Sequence, residues 1–202
     1  MTLALFPQAL VPVRLSTDAQ NTPRDLALDL GRFDLDVASN PLSNILADRS
    51  LCLENGDDGL SAHWTLDGST SSRLASVWCN GPYSDPLPWC ERLRAHSAPW
   101  AALWKLDTTT RWFAEALGVG PKGERAQWAP FRARLAFERD GNVGSADFAS
   151  VLIWRDWTVP GAVARRLWMP SERAGSRRTR NRIAPVNPLH AKQPAKGEGD
   201  GT

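Results

Sequence analysis

Ala75-Ser76-Val77-Trp78-Cys79-Asn80-Gly81-Pro82-Tyr83 is the stretch on which the reading turns. Residues 75–79 are largely apolar and read as a buried strand that runs straight into the loop 80–83. An apolar strand ending in Asn-x-Pro-aromatic suits methylation of an exocyclic amine. Such a nitrogen is a poor nucleophile, because its lone pair is delocalised into the ring. A side-chain carbonyl and a backbone carbonyl that accept its two N–H groups favour a tetrahedral nitrogen and free the lone pair. An aromatic face nearby can stack on a base flipped out of its helix. In those roles Asn80 gives the side-chain acceptor, Gly81 the backbone carbonyl and Tyr83 the stacking face, while Pro82 stiffens the loop. Read alone, the same four residues also suit a plain turn with Tyr83 packed on the surface.

Outward from this loop, punctuation by turn residues divides the chain. Thr22 reads as an N-cap with Pro23 at the first helical position, and Arg-Asp-Leu-Ala-Leu-Asp-Leu behind them as a short helix stopped by Gly31. Phe33-Asp34-Leu35-Asp36-Val37-Ala38 alternates apolar and acidic residues, as a strand does, and Asn40-Pro41 marks a turn. A long irregular stretch follows, with a turn cluster at residues 55–59. Residues 87–96 read as a helix and 100–104 as a strand. Thr108-Thr109-Thr110 caps a helix carrying Trp112, Phe113 and Leu117 that ends at Gly118. Residues 131–154 read as two strands about Asp140-Gly141, the second being Phe-Ala-Ser-Val-Leu-Ile-Trp. Strands separated by helices, with chemistry-bearing turns after strand ends, indicate an α/β sheet with ligands at its C-terminal edge.

The 202 residues favour one domain with a tail: a lead-in at 1–21, a domain at 22–170 and a basic segment at 171–202, expected to be disordered without a partner. With 42% hydrophobic and 23% charged residues the composition is that of a soluble globular protein. Three Cys without C-x-x-C spacing and three His argue against a disulfide framework or a zinc site. Pro7, Pro12 and Arg14 interrupt the mildly apolar start, so neither a signal peptide nor a membrane span is expected, and a cytoplasmic setting follows by default. Ten Trp against one Tyr suit core packing and base stacking equally.

Charge is unevenly spread. Residues 1–164 hold 15 Lys/Arg and 19 Asp/Glu, while residues 165–182 hold seven Arg and one Glu. A net-acidic core is a poor binder of polyanions, so contact with nucleic acid has to be local. Arg165, Arg166, Arg173, Arg177, Arg178, Arg180 and Arg182 form the obvious phosphate-binding element, with Arg111, Arg132 and Arg134 as additions near the loop. Base readout is left to residues 118–130, with Trp128, or to the turn at 140–145.

From about Thr22 to Trp154 the chain resembles the phage-type DNA N-6-adenine methyltransferase family. The matching pieces keep the family's order: Thr22-Pro23 before a helix, Asp34-Leu35-Asp36, Asp58-Gly59-Leu60 with Trp64, the strand into Asn80-Gly81-Pro82-Tyr83, Arg111-Trp112-Phe113, Arg134-Leu135-Ala136-Phe137, and a closing apolar strand. The resemblance implies a Rossmann-like S-adenosylmethionine-dependent methyltransferase sheet flanked by helices in a minimal single domain. It implies site-specific methyl transfer to the exocyclic amine of a flipped adenine, as part of phage DNA modification. It further implies catalytic roles for Asn80, Gly81, Pro82 and Tyr83. Asp36 is assigned to the methionine or ribose part of the cofactor, with Ala38 leaving room for it, Asp58 to its adenine, and Thr22 and Pro23 to the same pocket. DNA contacts fall to Arg111, Arg134, Arg177, Arg178, Arg180 and Arg182. No metal is implied. Gly81 stands where the family has Pro, Val37 where an Asp-Pro pair is common, and no glycine-rich loop follows the first strand. These departures keep open a degenerate fold that binds nucleic acid or protein without catalysing.

Overall fold

The chain folds as eight strands, four α-helices and one 3-10 helix (Leu53–Asn55) among the described residues, which in this computed structural model are 21–139 and 142–169. In chain order these are α1 (Arg24–Leu30), β1 (Arg32–Ser39), β2 (Leu46–Cys52), β3 (Val77–Cys79), α2 (Leu87–Ala95), β4 (Trp100–Lys105), α3 (Arg111–Ala116), β5 (Gln127–Pro130), β6 (Ala136–Arg139), β7 (Asn142–Ser145), β8 (Ser150–Arg155) and α4 (Gly161–Arg166). All belong to one unit that ends at Met169.

Six strands form a sheet in the order β2-β1-β3-β4-β8-β5. The pairings β1–β2, β1–β3 and β3–β4 are parallel, whereas β8 lies antiparallel to both β4 and β5. Strand periodicity splits the apolar residues between two faces. Val77, Cys79, Trp100, Ala102 and Trp104 face one layer with Trp89, Cys90 and Leu93 of α2 and Phe113 of α3. Trp78, Ala101, Leu103, Leu152 and Trp154 face the other, with Leu26 and Leu30 of α1 and Val163 of α4. Most of the Trp serve this core: Trp64, Trp78, Trp89, Trp100, Trp104 and Trp154 are all buried.

Several local expectations change. Pro23, not Thr22, holds the N-cap position of α1; its carbonyl accepts from Ala27 N at 2.8 Å, and no side chain caps the helix. The Thr22 hydroxyl has another partner, given below. The α1 stop at Gly31 stands, at φ +82°, a conformation favouring glycine. Thr110 sits at the N-cap of α3 but its hydroxyl donates to the Asp107 carbonyl instead of capping. β2 emerges from the stretch read as irregular. It is an edge strand whose buried residues are confined to Leu51 and Cys52, so it carries little apolar alternation. β5, the opposite edge, arises within residues 118–130, to which the sequence reading gave no element. Residues 131–154 contain three strands instead of two: β6 pairs with β7 in a separate hairpin, and residues 150–155 enter the main sheet as β8. β7 has no buried apolar face to announce it, since Val143 is 66% exposed. Asp140-Gly141 lies outside the described residues, as do residues 1–20 and the basic segment.

Candidate active site

β1 leads to β2 on one side, and the chain returns as β3 on the other. The direction of strand order therefore reverses between β1 and β3, and a crevice opens where their C-terminal ends diverge. A cavity occupies this point. Thr22, Asp36, Ala38, Asp58, Asn80 and Pro82 of the expected set all line it.

Asp36 is anchored in its wall. Its Cα is in register with Ser50 of β2 and Trp78 of β3, and the residue is 2% exposed. Ser43 Oγ donates to Oδ2 at 3.0 Å and Ala38 N to Oδ1 at 3.4 Å. Burial outweighs these bonds and pushes the carboxyl up to about 6.

Asn80 follows the last residue of β3, so the strand itself delivers it to the cavity. Its Nδ2 donates to Thr22 Oγ1 at 3.3 Å, which orients the side-chain amide. Thr22 is 2% exposed and held in turn by Asn44, whose Nδ2 donates to the Thr22 carbonyl at 3.0 Å. Gly81 is buried beneath the indole of Trp89. Tyr83 turns away from the cavity lining and packs edge-on against Phe137 of β6 and Phe148, with ring centroids 6.1 and 5.5 Å away. Pro23 also departs from the expected pocket and lines a neighbouring cleft.

The Asp58 turn closes over the other side. Asp58 Oδ1 accepts from Leu60 N at 2.9 Å, and this bond is the chief reason its carboxyl lies below the usual range. Gly59 permits the turn, because a Cβ there would fall 1.9 Å from the Val37 carbonyl oxygen. Trp64 Nε1 donates to the Gly59 carbonyl at 2.8 Å and fixes the same turn.

Among the lining residues that escaped the sequence reading, two stand out. Glu54 stands just past the end of β2, a position from which an acid can accept ribose hydroxyls; the signal was an acid closing a strand, but the strand itself was hidden. Trp89 of α2 reaches both the Asp58–Gly59 turn and the Asn80–Gly81 loop. Of the expected DNA contacts, Arg111 lies 3.6 Å from Glu91 and Arg134 lines the cleft beside Pro23, whereas Arg177, Arg178, Arg180 and Arg182 lie outside the described residues. Among the described residues no cluster of His, Cys, Asp or Glu is placed to hold a metal, and no helix is long and apolar enough to cross a membrane.

The family model of DNA N-6-adenine-methyltransferase (Dam) matches residues 15–166. This chain belongs to that family. Comparison with curated proteins and with solved structures gave no match. The span assigned to the Dam family takes in all six strands of the main sheet and runs to the end of α4, so it includes both the cavity and the cleft beside Pro23.

Proposed function

We propose that this Dam-family chain is a Rossmann-like, S-adenosylmethionine-dependent methyltransferase acting on the N-6 amine of adenine in DNA. The observation that carries the reading is that β3 delivers Asn80 into the same cavity as the buried Asp36, at the reversal of strand order. The residues fit the cofactor. Asp36, Glu54 and Asp58 offer acceptors for cationic, hydroxyl and amino groups, and Val37, Leu51 and Trp89 give apolar walls for a purine. When bound, S-adenosylmethionine supplies an electrophilic methyl group on a sulfonium sulfur.

The chain's own part is acceptance and positioning. Asn80 Oδ1 accepts one N–H of the adenine amine, and the Gly81 carbonyl accepts the other, which localises the lone pair on nitrogen. Thr22 keeps the Asn80 amide turned so that its oxygen is the end offered. Asp36 balances the positive charge of the cofactor, and its ionisation is favoured by that charge. Tyr83, held by Phe137 and Phe148, braces the far end of the loop, and the target base enters on the Pro82 side. A role in modifying phage DNA at a specific sequence, in the cytoplasm of a host cell, follows the family resemblance. The non-catalytic alternative draws on Gly81 and on the Arg-rich tail, and Trp89 gives that glycine a packing reason.

The test is methyl transfer from labelled cofactor to unmethylated DNA, followed by digestion and nucleoside analysis. N-6-methyladenine is the expected product. Asn80→Ala should lower transfer by about 100-fold or more while calorimetric cofactor binding survives. A wild-type chain that binds the cofactor yet labels no DNA would sink the proposal.

A further inference from the structure

The cleft beside Pro23 has a chemistry of its own. Arg132, Arg134, Arg165 and Arg166 line it, and the one acid among its lining residues is Asp25. That acid is taken: Arg166 pairs with Asp25 at 2.7 Å and with Asp29 at 2.6 Å. Arg132 donates from Nε to the Leu167 carbonyl at 2.8 Å, and its guanidinium lies 4.7 Å from the ring centre of Trp168. Trp168 is itself 60% exposed. Arg134 and Arg165 are exposed and make no ion pair among the described residues. Among the described residues, three guanidinium groups are thus left without acidic partners on a body that is otherwise net acidic, next to an exposed indole.

Position matters as much as charge. Thr22 lines the cavity and orients Asn80, while the next residue, Pro23, lines this cleft. Leu135 and Ala136 of the same wall lead directly into Phe137, against which Tyr83 packs. The two concavities therefore meet at the 22–23 segment, and the wall of the cleft runs on into the hairpin strand against which Tyr83 packs.

We propose that this cleft, with Arg132, Arg134, Arg165 and Trp168, is the surface that takes the sugar–phosphate backbone of duplex DNA and sets its register against the Asn80 loop. Choosing DNA over other polyanions rests on the proposed function. Guanidinium groups suit phosphate oxygens, and an exposed indole beside them suits a sugar or an unstacked base. The chain beyond Met169 carries five more Arg by residue 182, a charge of the sign that also favours phosphate.

The full chain should be titrated into a fluorescein-labelled, unmethylated duplex by anisotropy over about 50 to 200 mM salt, with cofactor binding measured in parallel. Arg134→Gln with Arg165→Gln should weaken binding about tenfold at the upper salt and reduce the slope of log affinity against log salt by about 2. Trp168→Ala should weaken binding with little change of slope. Arg73→Gln, which lines a cleft at the opposite strand ends with Asp34 and Ser76, should change neither. Cofactor affinity should hold in all four proteins, which guards against misfolding as the cause. An unchanged slope in the double variant overturns the proposal. So does competition by polyglutamate equal to that of DNA at matched charge, which would make the surface one for acidic protein. If the slope falls as expected but the wild type transfers no methyl, the DNA surface stands and the enzymatic reading fails. If methyl is transferred but the slope is unaffected, the enzymatic reading stands and the DNA surface fails.

Discussion

The indole of Trp89 fills the space where a side chain at Gly81 would begin, since a Cβ there would lie 3.1, 3.2 and 3.3 Å from three of its ring carbons. Such contacts are tighter than packed side chains normally accept, so the small residue and the large one are a matched pair. Gly81 has no left-handed φ to explain it; close approach does. Gly81→Ala should therefore cost about 1–3 kcal/mol, and Gly81→Pro should lower both stability and transfer. Adding Trp89→Leu to Gly81→Pro should recover part of the loss. A double-mutant cycle in thermal unfolding and initial rate checks this, and simple additivity of the two changes would refute the pairing.

On the proposed function, Thr22 is a positioning residue that acts through its hydrogen bond with Asn80. Thr22→Val keeps the shape but removes the acceptor for Asn80 Nδ2. Turnover should drop about 10- to 100-fold with cofactor affinity nearly unchanged, and Thr22→Ser should restore much of the rate. Equal losses in affinity and turnover would point to a purely structural role.

Asp36 carries a pH signature. Its carboxyl rises from 3.8 to about 6 because burial disfavours the charge. The folded chain thus holds this proton more tightly than the unfolded one. Stability from this group is greatest below about pH 3.8, declines as pH rises to about 6, and is then level. Asp36→Asn should raise the melting temperature at pH 7.5, by the equivalent of about 2–3 kcal/mol, while abolishing cofactor binding. The gain should shrink toward pH 4. A melting difference that ignores pH would contradict this account.

Arg155 is the structural counterpart. It is 2% exposed, donates from Nη1 to the Arg94 carbonyl at 2.9 Å and from Nη2 to the carbonyls of Leu93 and His96, and lies 3.0 Å from Glu124. It therefore ties β8 to the C-terminal carbonyls of α2. Arg155→Met should destabilise the chain by about 3 kcal/mol in denaturant titration, leaving carbonyls and Glu124 without their partner. A loss below about 1 kcal/mol would show the bonds to be replaceable by water.

What could be read in the sequence follows from where each signal resides. β3, β4 and β8 are buried on both faces, so their apolar runs announce them. β2, β5 and β7 have thin apolar faces, and pairing rather than pattern makes them strands. Asn80 stood out because it follows a short apolar strand, whereas Asp36, in the middle of β1, was singled out by the family resemblance and not by its place in a pattern. Glu54 and Trp89 depend on which strands and helices become neighbours. The turn of Tyr83 toward Phe137, and of Pro23 into its own cleft, depends on how the β6–β7 hairpin docks.

The place of β8 has a consequence for synthesis. This strand is the last of the sheet to leave the ribosome, yet it sits between β4 and β5, with Trp100 opposite Arg155 and Gln127 opposite Trp154. Until residue 155 is available, β4 presents an open hydrogen-bonding edge and β5 has no strand to join. A nascent chain stalled near residue 145 is thus a template for wrong pairing, with Trp104 and Leu103 exposed along a slot awaiting its filler. Truncations before β8 should collect in aggregates, not as a smaller folded core.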